Sequence, residues 1–206
     1  MQNLKKSLFL LLAIAFVGLA SFTLVGDGYK VGAKIKGFQL KNVDGKTVSL
    51  ADYQNNAKGI ILTFTCNHCP YAKLYEDRLI ALHNRFKDEG YPVVAINPNG
   101  KTVEDDSFEN MVARAKEKGY PFAYLLDEDQ KVAQAFGAEK TPHIYLLKNV
   151  GDGFEVVYIG AIDDDPQNTK ENKVKFVENA IIDLQQGRSV ANTNTKAVGC
   201  TIKWLK

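Results

Sequence analysis

The chain has 206 residues, of which 45% are hydrophobic and 24% are charged, and its formal net charge at pH 7 is +2. This length and composition suit one globular domain with short extensions, and they exclude a disordered chain. A net charge so close to zero gives no reason to expect nucleic acid or an anionic membrane surface as a partner.

The N-terminus has the pattern of a secretory signal. Two lysines precede an apolar run over residues 8–19, and the small residues Gly18 and Ala20 stand at the positions expected before a cleavage site. We therefore expect residues 1–20 to be a cleaved signal peptide, with an uncleaved membrane anchor as the alternative, and residues 21–35 to be a linker. Cleavage removes two lysines and no acidic residue, which leaves a periplasmic or other extracytoplasmic protein with no net charge.

The first predicted elements are a hairpin and a strand–helix–strand unit. Apolar and polar residues alternate on both sides of Asp44-Gly45, which indicates a β-hairpin. Residues 59–65 are almost all apolar or β-favouring, as expected for a strand that is covered on both faces. A helix is predicted over residues 70–87 and a second buried strand over 91–97, so the two strands should be parallel with a right-handed crossover.

The rest of the chain continues as alternating helices and strands. In chain order we expect a helix at 105–118, a strand at 122–126, a short helix at 130–136, a hairpin of strands 144–147 and 154–159, and a helix at 172–186. The inward faces of the two longer helices should carry Phe108, Met111, Val112 and Ala115 in the first, and Val174, Val177, Ile181 and Leu184 in the second. The sum is an α/β domain over residues 36–188 with a mixed sheet of about five strands, followed by a C-terminal tail over 189–206.

Two cysteines stand where the first buried strand meets its helix, in the order Cys66-Asn-His-Cys69-Pro70. Two intervening residues bring the sulfurs within bonding distance, so the pair can cycle between dithiol and disulfide. Cys66 is expected to be exposed at the helix N-terminus, where unpaired backbone N–H groups and the helix dipole favour a thiolate. Cys66 would then attack a substrate disulfide and Cys69 would resolve the mixed disulfide; the alternative is a static structural disulfide.

The order of these motifs resembles the thioredoxin fold over residues 36–187. The resemblance rests on the strand that leads to Cys66-x-x-Cys69 at a helix start and on Thr141-Pro142 before a hairpin and a closing helix. The predicted N-terminal hairpin is similar to that of the redoxin and TlpA-like branch, and the terminal Gly199-Cys-Thr-Ile-Lys-Trp is similar to a group of exported thioredoxin-family proteins. The resemblance implies a thiol-disulfide oxidoreductase without cofactor or metal. Its partners would be protein thiols or disulfides and an upstream electron donor or acceptor.

The resemblance also gives roles to residues around the dithiol. Pro142 would be a cis proline opposite the cysteines, and Thr141 would offer its backbone to the substrate. His68 can favour the Cys66 thiolate as imidazolium or as a hydrogen-bond donor, which would tune the redox potential. From the sequence alone, a trans turn proline and a solvated histidine without effect are the alternatives. His143 is either a hairpin residue or a side chain that faces the cysteines.

The third cysteine, Cys200, follows a stretch rich in Asn, Thr and Ala at residues 189–198. The apolar residues Ile202, Trp204 and Leu205 follow it, so we expect the tail to dock on the domain. Our hypothesis is that Cys200 lies close enough to react with either member of the dithiol, as a second resolving thiol and a third redox thiol. The alternative is a disordered terminal thiol.

Two other functions would use the same cysteines. A redoxin-type thiol peroxidase is one, since Thr63 stands three residues before Cys66, although position 59 is glycine where those enzymes carry a proline. The other is a Cu(I)-binding module that uses both cysteines with His68 or His143, a soft set of ligands. Copper-chaperone relatives separate their cysteines by three residues, whereas this chain separates them by two.

Overall fold

The computed structural model describes residues 28–206, so the signal segment expected at residues 1–20 lies outside the described part of the chain. Within residues 28–206, no helix has the length and apolar character that crossing a bilayer requires. Residues 28–35, where we expected a linker, lie against the domain. The Gly32 N–H donates to the Val156 carbonyl oxygen at 2.8 Å, and the Tyr29 ring packs edge-on against Phe136 with 5.1 Å between centroids.

The elements alternate along the described residues much as the hydrophobic pattern predicts. The strands are β1 (Gln39–Asn42), β2 (Thr47–Ser49), β3 (Gly59–Phe64), β4 (Val93–Asn97), β5 (Ala123–Leu126), β6 (Lys140–Thr141), β7 (His143–Asn149), β8 (Phe154–Gly160) and β9 (Cys200–Thr201). The α-helices are α1 (Pro70–Phe86), α2 (Phe108–Lys118), α3 (Lys131–Phe136) and α4 (Phe176–Gln185). The predicted α/β class is therefore confirmed.

Seven strands form one mixed sheet in the order β2-β1-β5-β4-β3-β7-β8, which is two strands more than the sequence suggested. β3 is parallel to β4 and antiparallel to β7, so it lies inside the sheet. The two remaining strands, β6 and β9, form a separate antiparallel pair. This pair attaches the C-terminal tail to the domain.

All six residues of β3 are buried, which explains why its sequence is a continuous apolar run. Successive side chains of a strand point to opposite faces. Ile60, Leu62 and Phe64 pack in a cluster with residues of α3, whereas Ile61 packs on the other face with residues of α1, α2 and α4. A strand covered in this way holds its end, and the residues that follow, in a fixed position.

Helix α2 begins later than predicted, because residues 104–106 form a 3-10 turn whose last member, Asp106, turns into the protein. Met111 and Ala115 are buried as expected, but Val112 is 37% exposed. The Phe108 ring lies under the Lys41 ammonium group at 3.7 Å from the ring centroid, so it packs beside a charge rather than in the core.

Helix α4 also begins later than predicted, at Phe176, and Val174 lies before it with half of its surface exposed. The segment before the helix is held as a loop by carboxylates. Asp164 accepts the Val174 N–H at 2.8 Å, and Asp165 accepts the Lys170 N–H at 2.7 Å. These bonds compete with the first helical turn that the apolar spacing suggested.

A buried ion pair joins α1 to α2. The Glu76 carboxylate is 2% exposed and accepts hydrogen bonds from Arg114 Nε at 2.8 Å and Nη2 at 2.7 Å. The Tyr120 hydroxyl donates to the same carboxylate at 3.0 Å, and Lys118 Nζ lies 3.3 Å from it. A buried carboxylate with this many donors has its lost hydration replaced.

We predict that Glu76→Ala lowers the free energy of unfolding by about 2–3 kcal/mol in urea denaturation, because it leaves Arg114 without its buried partner. The expected loss lies at the low end for buried pairs because the Arg114 side chain is 19% exposed and can regain water. Asp77→Ala is the matched control, since this neighbouring side chain is 85% exposed. It should change stability by less than about 0.5 kcal/mol. Equal losses in the two variants would contradict this account of the ion pair.

Candidate active site at the start of helix α1

Three cysteines meet where β3 ends and α1 begins. Cys66 follows β3 by two residues, Cys69 is the N-cap residue of α1, and Cys200 begins β9. The Sγ atoms of Cys69 and Cys200 form a disulfide with 6.0 Å between the Cα atoms, and Cys66 is a free thiol. The bond therefore joins Cys69 to the tail in this state, instead of joining it to Cys66 as the two-residue spacing suggested.

Cys66 is buried in this state, with 3% of its surface exposed, and is not the exposed thiol that we expected. It lies four residues before Pro70, where α1 begins, so the helix N-terminus acts on Cys69 instead. Burial, and after it the negative charge of Asp106, raises the pKa of the Cys66 thiol to about 11. The prediction of an exposed, low-pKa thiolate is thus wrong for the form with the Cys69–Cys200 disulfide.

Thr141 contacts both cysteines of the Cys-x-x-Cys motif. The Thr141-Pro142 peptide bond is cis, as the resemblance implies. The Thr141 hydroxyl lies 3.0 Å from Cys66 Sγ, and its carbonyl oxygen lies 3.2 Å from Cys69 Sγ. A disulfide sulfur carries no hydrogen, so the second contact becomes a hydrogen bond only when Cys69 is reduced. Reduction of the disulfide therefore gives the Cys69 thiol a hydrogen-bond acceptor, the Thr141 carbonyl oxygen, without movement of the backbone.

His68 is held beside the cysteines by a buried carboxylate. Its Nδ1 lies 2.5 Å from Asp106 Oδ2, and Asp106 has no exposed surface. The other carboxylate oxygen accepts the Asn67 N–H at 2.5 Å and the Asn97 Nδ2 at 3.3 Å. Burying a carboxylate is costly unless donors surround it, so Asp106 fixes the loop between the two cysteines.

Sequence reasoning missed Asp106. It lies 38 residues after His68, in the acidic run Glu104–Asp106 just before a helix. Acidic residues at that place are usually explained by the helix dipole, which conceals a second role. No local pattern connects this residue to the dithiol, because the contact arises from the parallel pairing of β3 with β4.

Cys66, His68 and Asp106 form a cluster in which one donor atom of each lies within 4.8 Å of the others. A sulfur, a ring nitrogen and a carboxylate oxygen are ligand types that transition metals accept. The ring nitrogen of His68 and the carboxylate of Asp106 are hydrogen-bonded to each other, however. Cys69, the second sulfur of the copper hypothesis, is in a disulfide with Cys200. In this state the cluster offers a hydrogen-bonded relay beside one free thiol.

The two other residues of the alternative hypotheses lie in the sheet, where Thr63 is buried and His143 is half-buried. His143 begins β7, and its ring lies 4.8 Å from that of Tyr145. Burial lowers the pKa of His143 to about 4, so it is neutral at pH 7. Thr63 has no exposed surface, and its hydroxyl is directed to the Phe64 carbonyl oxygen at 3.5 Å.

Asn99 links the redox site to the tail. Its side chain has no exposed surface, and its Oδ1 accepts the Lys203 N–H at 2.9 Å. Within residues 28–206, its Nδ2 donates to no hydrogen-bond acceptor. The side chain nevertheless lies close enough to Cys66 to lower the pKa of that thiol. An amide N–H near a sulfur stabilises the thiolate when it forms. Sequence reasoning gave no sign of this residue.

Comparison with known proteins identifies relatives of this chain. The AhpC/TSA family matches residues 31–165. The thiol-disulfide oxidoreductase ResA of Oceanobacillus iheyensis is 28% identical over 74% of this chain and 79% of its own length. The ResA of Halalkalibacterium halodurans is 22% identical over 60% of this chain. The matched part covers 65% of that relative's own length.

Two solved structures show how far the similarity extends. An uncharacterised conserved protein from Geobacillus kaustophilus is 37% identical, with a TM-score of 0.79 over 86% of this chain and 93% of its own. The thioredoxin domain of a thiol-disulfide oxidoreductase from Bacteroides vulgatus is 21% identical, with a TM-score of 0.54 over 69% of this chain and 96% of its own. The second similarity is one of fold, and it confirms the predicted thioredoxin-like architecture.

We predict that Asp106→Asn lowers the pKa of Cys66, because it removes a buried negative charge that opposes the thiolate and keeps the shape of the side chain. In the disulfide form Cys66 is the free thiol, so its alkylation by iodoacetamide measures this pKa directly. The native rate should rise through a pH of about 11. At pH 8 the variant should react faster by about tenfold for each unit by which the pKa falls.

Asp105→Asn is the matched control for this measurement. It removes the same charge from an exposed neighbour, and the Asp105 backbone carbonyl still accepts the Asn67 side chain at 2.9 Å. Its alkylation profile should match that of the native protein. If the two variants gave the same profile, the high pKa of Cys66 would have to come from burial alone.

Proposed function

The chain belongs to the AhpC/TSA family, which matches more than half of its residues, and on this basis we propose that it is an exported enzyme that exchanges electrons with protein thiols and disulfides through Cys66 and Cys69. The predicted redoxin family, thioredoxin-like fold and enzyme class of thiol-disulfide oxidoreductase are confirmed. The observation that carries the finer proposal is the meeting of three cysteines at the cis Thr141-Pro142 bond.

The proposed reaction uses the two cysteines in sequence. The Cys66 thiolate attacks a substrate disulfide, forms a mixed disulfide with one substrate sulfur and releases the other as a thiolate. The Cys69 thiolate then attacks the Cys66 sulfur, so a Cys66–Cys69 disulfide forms and the second substrate thiol leaves. Two electrons pass from the enzyme dithiol to the substrate, and an upstream dithiol restores them. The reverse sequence oxidises a substrate.

His68 supports this reaction through its position. Its ring is fixed by Asp106 at 2.5 Å, and both lie in the 4.8 Å cluster with the Cys66 sulfur. The pair can receive the thiol proton when Cys66 becomes a thiolate, and an imidazolium beside the sulfur then stabilises the anion. The sequence suggested that His68 tunes the redox potential, and in this proposal the Asp106 carboxylate takes part in that tuning.

Cys200 acts in the proposal as a third redox thiol. Its thiolate attacks the Cys69 sulfur of a Cys66–Cys69 disulfide, so a Cys69–Cys200 bond forms and Cys66 returns to a thiol. No electrons enter or leave in this exchange. The arrangement of a Cys69–Cys200 disulfide beside a free Cys66 is what this step would produce.

Export is supported by the pattern of the first twenty residues and by the disulfide itself. Stable disulfides belong to oxidising compartments, whereas cytosolic proteins keep their thiols reduced. A Cys69–Cys200 bond that links the tail to the domain therefore suits a protein that works outside the cytoplasm.

We predict that Cys66→Ser reduces turnover in an insulin reduction assay to the uncatalysed rate, because the attacking thiolate is lost. Cys69→Ser should accumulate mixed disulfides with insulin chains, visible by mass spectrometry, because the thiol that resolves the first intermediate in the proposed reaction is lost. Normal turnover by Cys66→Ser would refute the proposed reaction. Peroxide consumption by the native protein that exceeds its disulfide reduction would favour the peroxidase alternative.

A separate prediction concerns Cys200. After oxidation, the native protein should retain one thiol that reacts with iodoacetamide in denaturant, and peptide mapping should place it at Cys66. Oxidised Cys200→Ser should retain none, because its remaining two cysteines pair with each other. A shift of about 30 mV in the redox potential between the two proteins corresponds to a tenfold change in the equilibrium constant. Identical potentials and a Cys66–Cys69 bond in both proteins would exclude a role for Cys200.

A further inference from the structure

The C-terminal segment 199–205 lies in a track that runs past the redox site. Its strand β9 is antiparallel to β6, with Cys200 opposite Thr141. The Ile202 N–H then donates to the Glu139 carbonyl oxygen at 3.0 Å. The tail therefore adds a strand to the edge that carries the cis-proline bond, the way in which many domains bind an extended peptide.

Two buried side chains extend this track beyond the strand. Gln130 is 1% exposed; its Nε2 donates to the Lys203 carbonyl oxygen at 2.8 Å, and its Oε1 accepts the Leu205 N–H at 2.7 Å. Asn99 accepts the Lys203 N–H at 2.9 Å. All three bonds go to backbone atoms of the tail. An extended segment of another sequence can make the same bonds.

Close packing restricts the side chain at two positions of the tail segment 199–205, one directly before the cysteine and one two residues after it. A Cβ atom on Gly199 would lie 2.3 Å from the Thr141 carbonyl oxygen, so the position before the cysteine excludes any larger residue. Ile202 is 2% exposed and packs in the cluster that contains Phe136 and Ala138. Residue 201 and residues 203–206 are exposed and impose no comparable restriction.

We propose that this track is the site for an extended, cysteine-containing segment of a protein substrate, and that the tail is its tethered occupant. The proposal rests on the function proposed above and names its substrate class: a segment with glycine directly before the cysteine and a branched apolar residue two positions after it. Substrate and tail compete for the same edge of β6. The substrate cysteine takes the place of Cys200, which packs against the cluster that contains both Cys66 and Cys69, and there the Cys66 thiolate attacks it.

The disulfide decides which of the two occupies the track. While Cys69 and Cys200 are bonded, the tail remains in place and Cys66 is covered. A dithiol donor reduces this bond to two thiols and is itself oxidised to a disulfide, so two electrons are transferred. The tail is then held only by its hydrogen bonds and by Ile202, and a substrate segment can displace it. Asn99 accepts a hydrogen bond from the tail backbone and also lies close enough to Cys66 to lower the pKa of its thiol. Occupancy of the track is therefore coupled to the pKa of Cys66.

Trp204 reports directly on the docked tail, because it is the single tryptophan of the chain and lies in this segment. We expect its fluorescence anisotropy to fall when the native, full-length protein is reduced with dithiothreitol. In Cys200→Ser the anisotropy should not depend on the redox state, since no disulfide holds the tail. An unchanged anisotropy on reduction of the native protein would show that the tail does not leave, and would overturn the competition.

The substrate preference is tested with synthetic peptides whose cysteine is in a mixed disulfide with glutathione. One peptide carries the tail sequence Val-Gly-Cys-Thr-Ile-Lys, and two others replace its glycine by valine or its isoleucine by aspartate. The enzyme is full-length Gly199→Val, whose own tail is excluded from the track by the contact with Thr141. We expect kcat/KM for the first peptide to exceed that for each of the others at least about tenfold, equivalent to 1.4 kcal/mol.

The outcomes separate this inference from the proposed function. If no peptide is reduced by the native protein or by Gly199→Val, the oxidoreductase function itself fails. If all three peptides are reduced at equal rates, the function stands and the substrate class proposed here is wrong. In the Gly199→Val protein, whose tail does not compete, Gln130→Ala should raise KM for the first peptide more than it lowers kcat, because it removes bonds to the peptide backbone and leaves the cysteines untouched. An unchanged KM in that variant would also overturn the track.

Discussion

The burial of β3 on both faces is the constraint on which the site depends. A strand that is packed between β4 and β7, with helices over both faces, cannot shift its register without moving apolar side chains into the wrong cluster. Its end is therefore fixed, and so is Cys66, two residues further on. The parallel neighbour β4 ends at the same edge, which brings Asn99 and Asp106 beside the thiol and places Asn97 in contact with Asp106. The polar groups of the site follow from the topology of the apolar core.

The negative charge of the Asp106 carboxylate disfavours a thiolate at Cys66. A buried carboxylate is retained because His68, Asn67 and Asn97 satisfy it, yet its charge disfavours a second anion nearby. With the tail docked, Cys66 is a protected thiol rather than a reactive one. Opening of the tail would admit water to the sulfur and remove part of the burial that raises its pKa. Reactivity then depends on what occupies the neighbouring strand edge, as well as on the local sequence.

Local patterns predicted the framework of the fold, but not the contacts between distant segments. The apolar run of β3, the hairpin at Asp44-Gly45 and the helix start at Pro70 each carry their signal within a few residues, and all are present. The two-residue spacing of Cys66 and Cys69 suggested a bond between them, because spacing describes only what is near in sequence. Cys200 reaches Cys69 across a separation of 131 residues through the pairing of β6 with β9. Asn99 follows the end of β4 and Gln130 stands directly before α3, places where a single polar residue needs no special explanation.

The choice between the two disulfides measures how strongly the tail binds. In an unfolded chain the entropy of loop closure favours the short Cys66–Cys69 loop over the 131-residue separation by about 3 kcal/mol. For the Cys69–Cys200 bond to form instead, the pairing with β6, the bonds to Gln130 and Asn99 and the burial of Ile202 must together exceed that difference. The disulfide exchange is thus an internal competition between chain entropy and tail docking. In the proposed competition, a substrate segment that fits the same track removes the docking contribution and so favours the bond between Cys69 and Cys66.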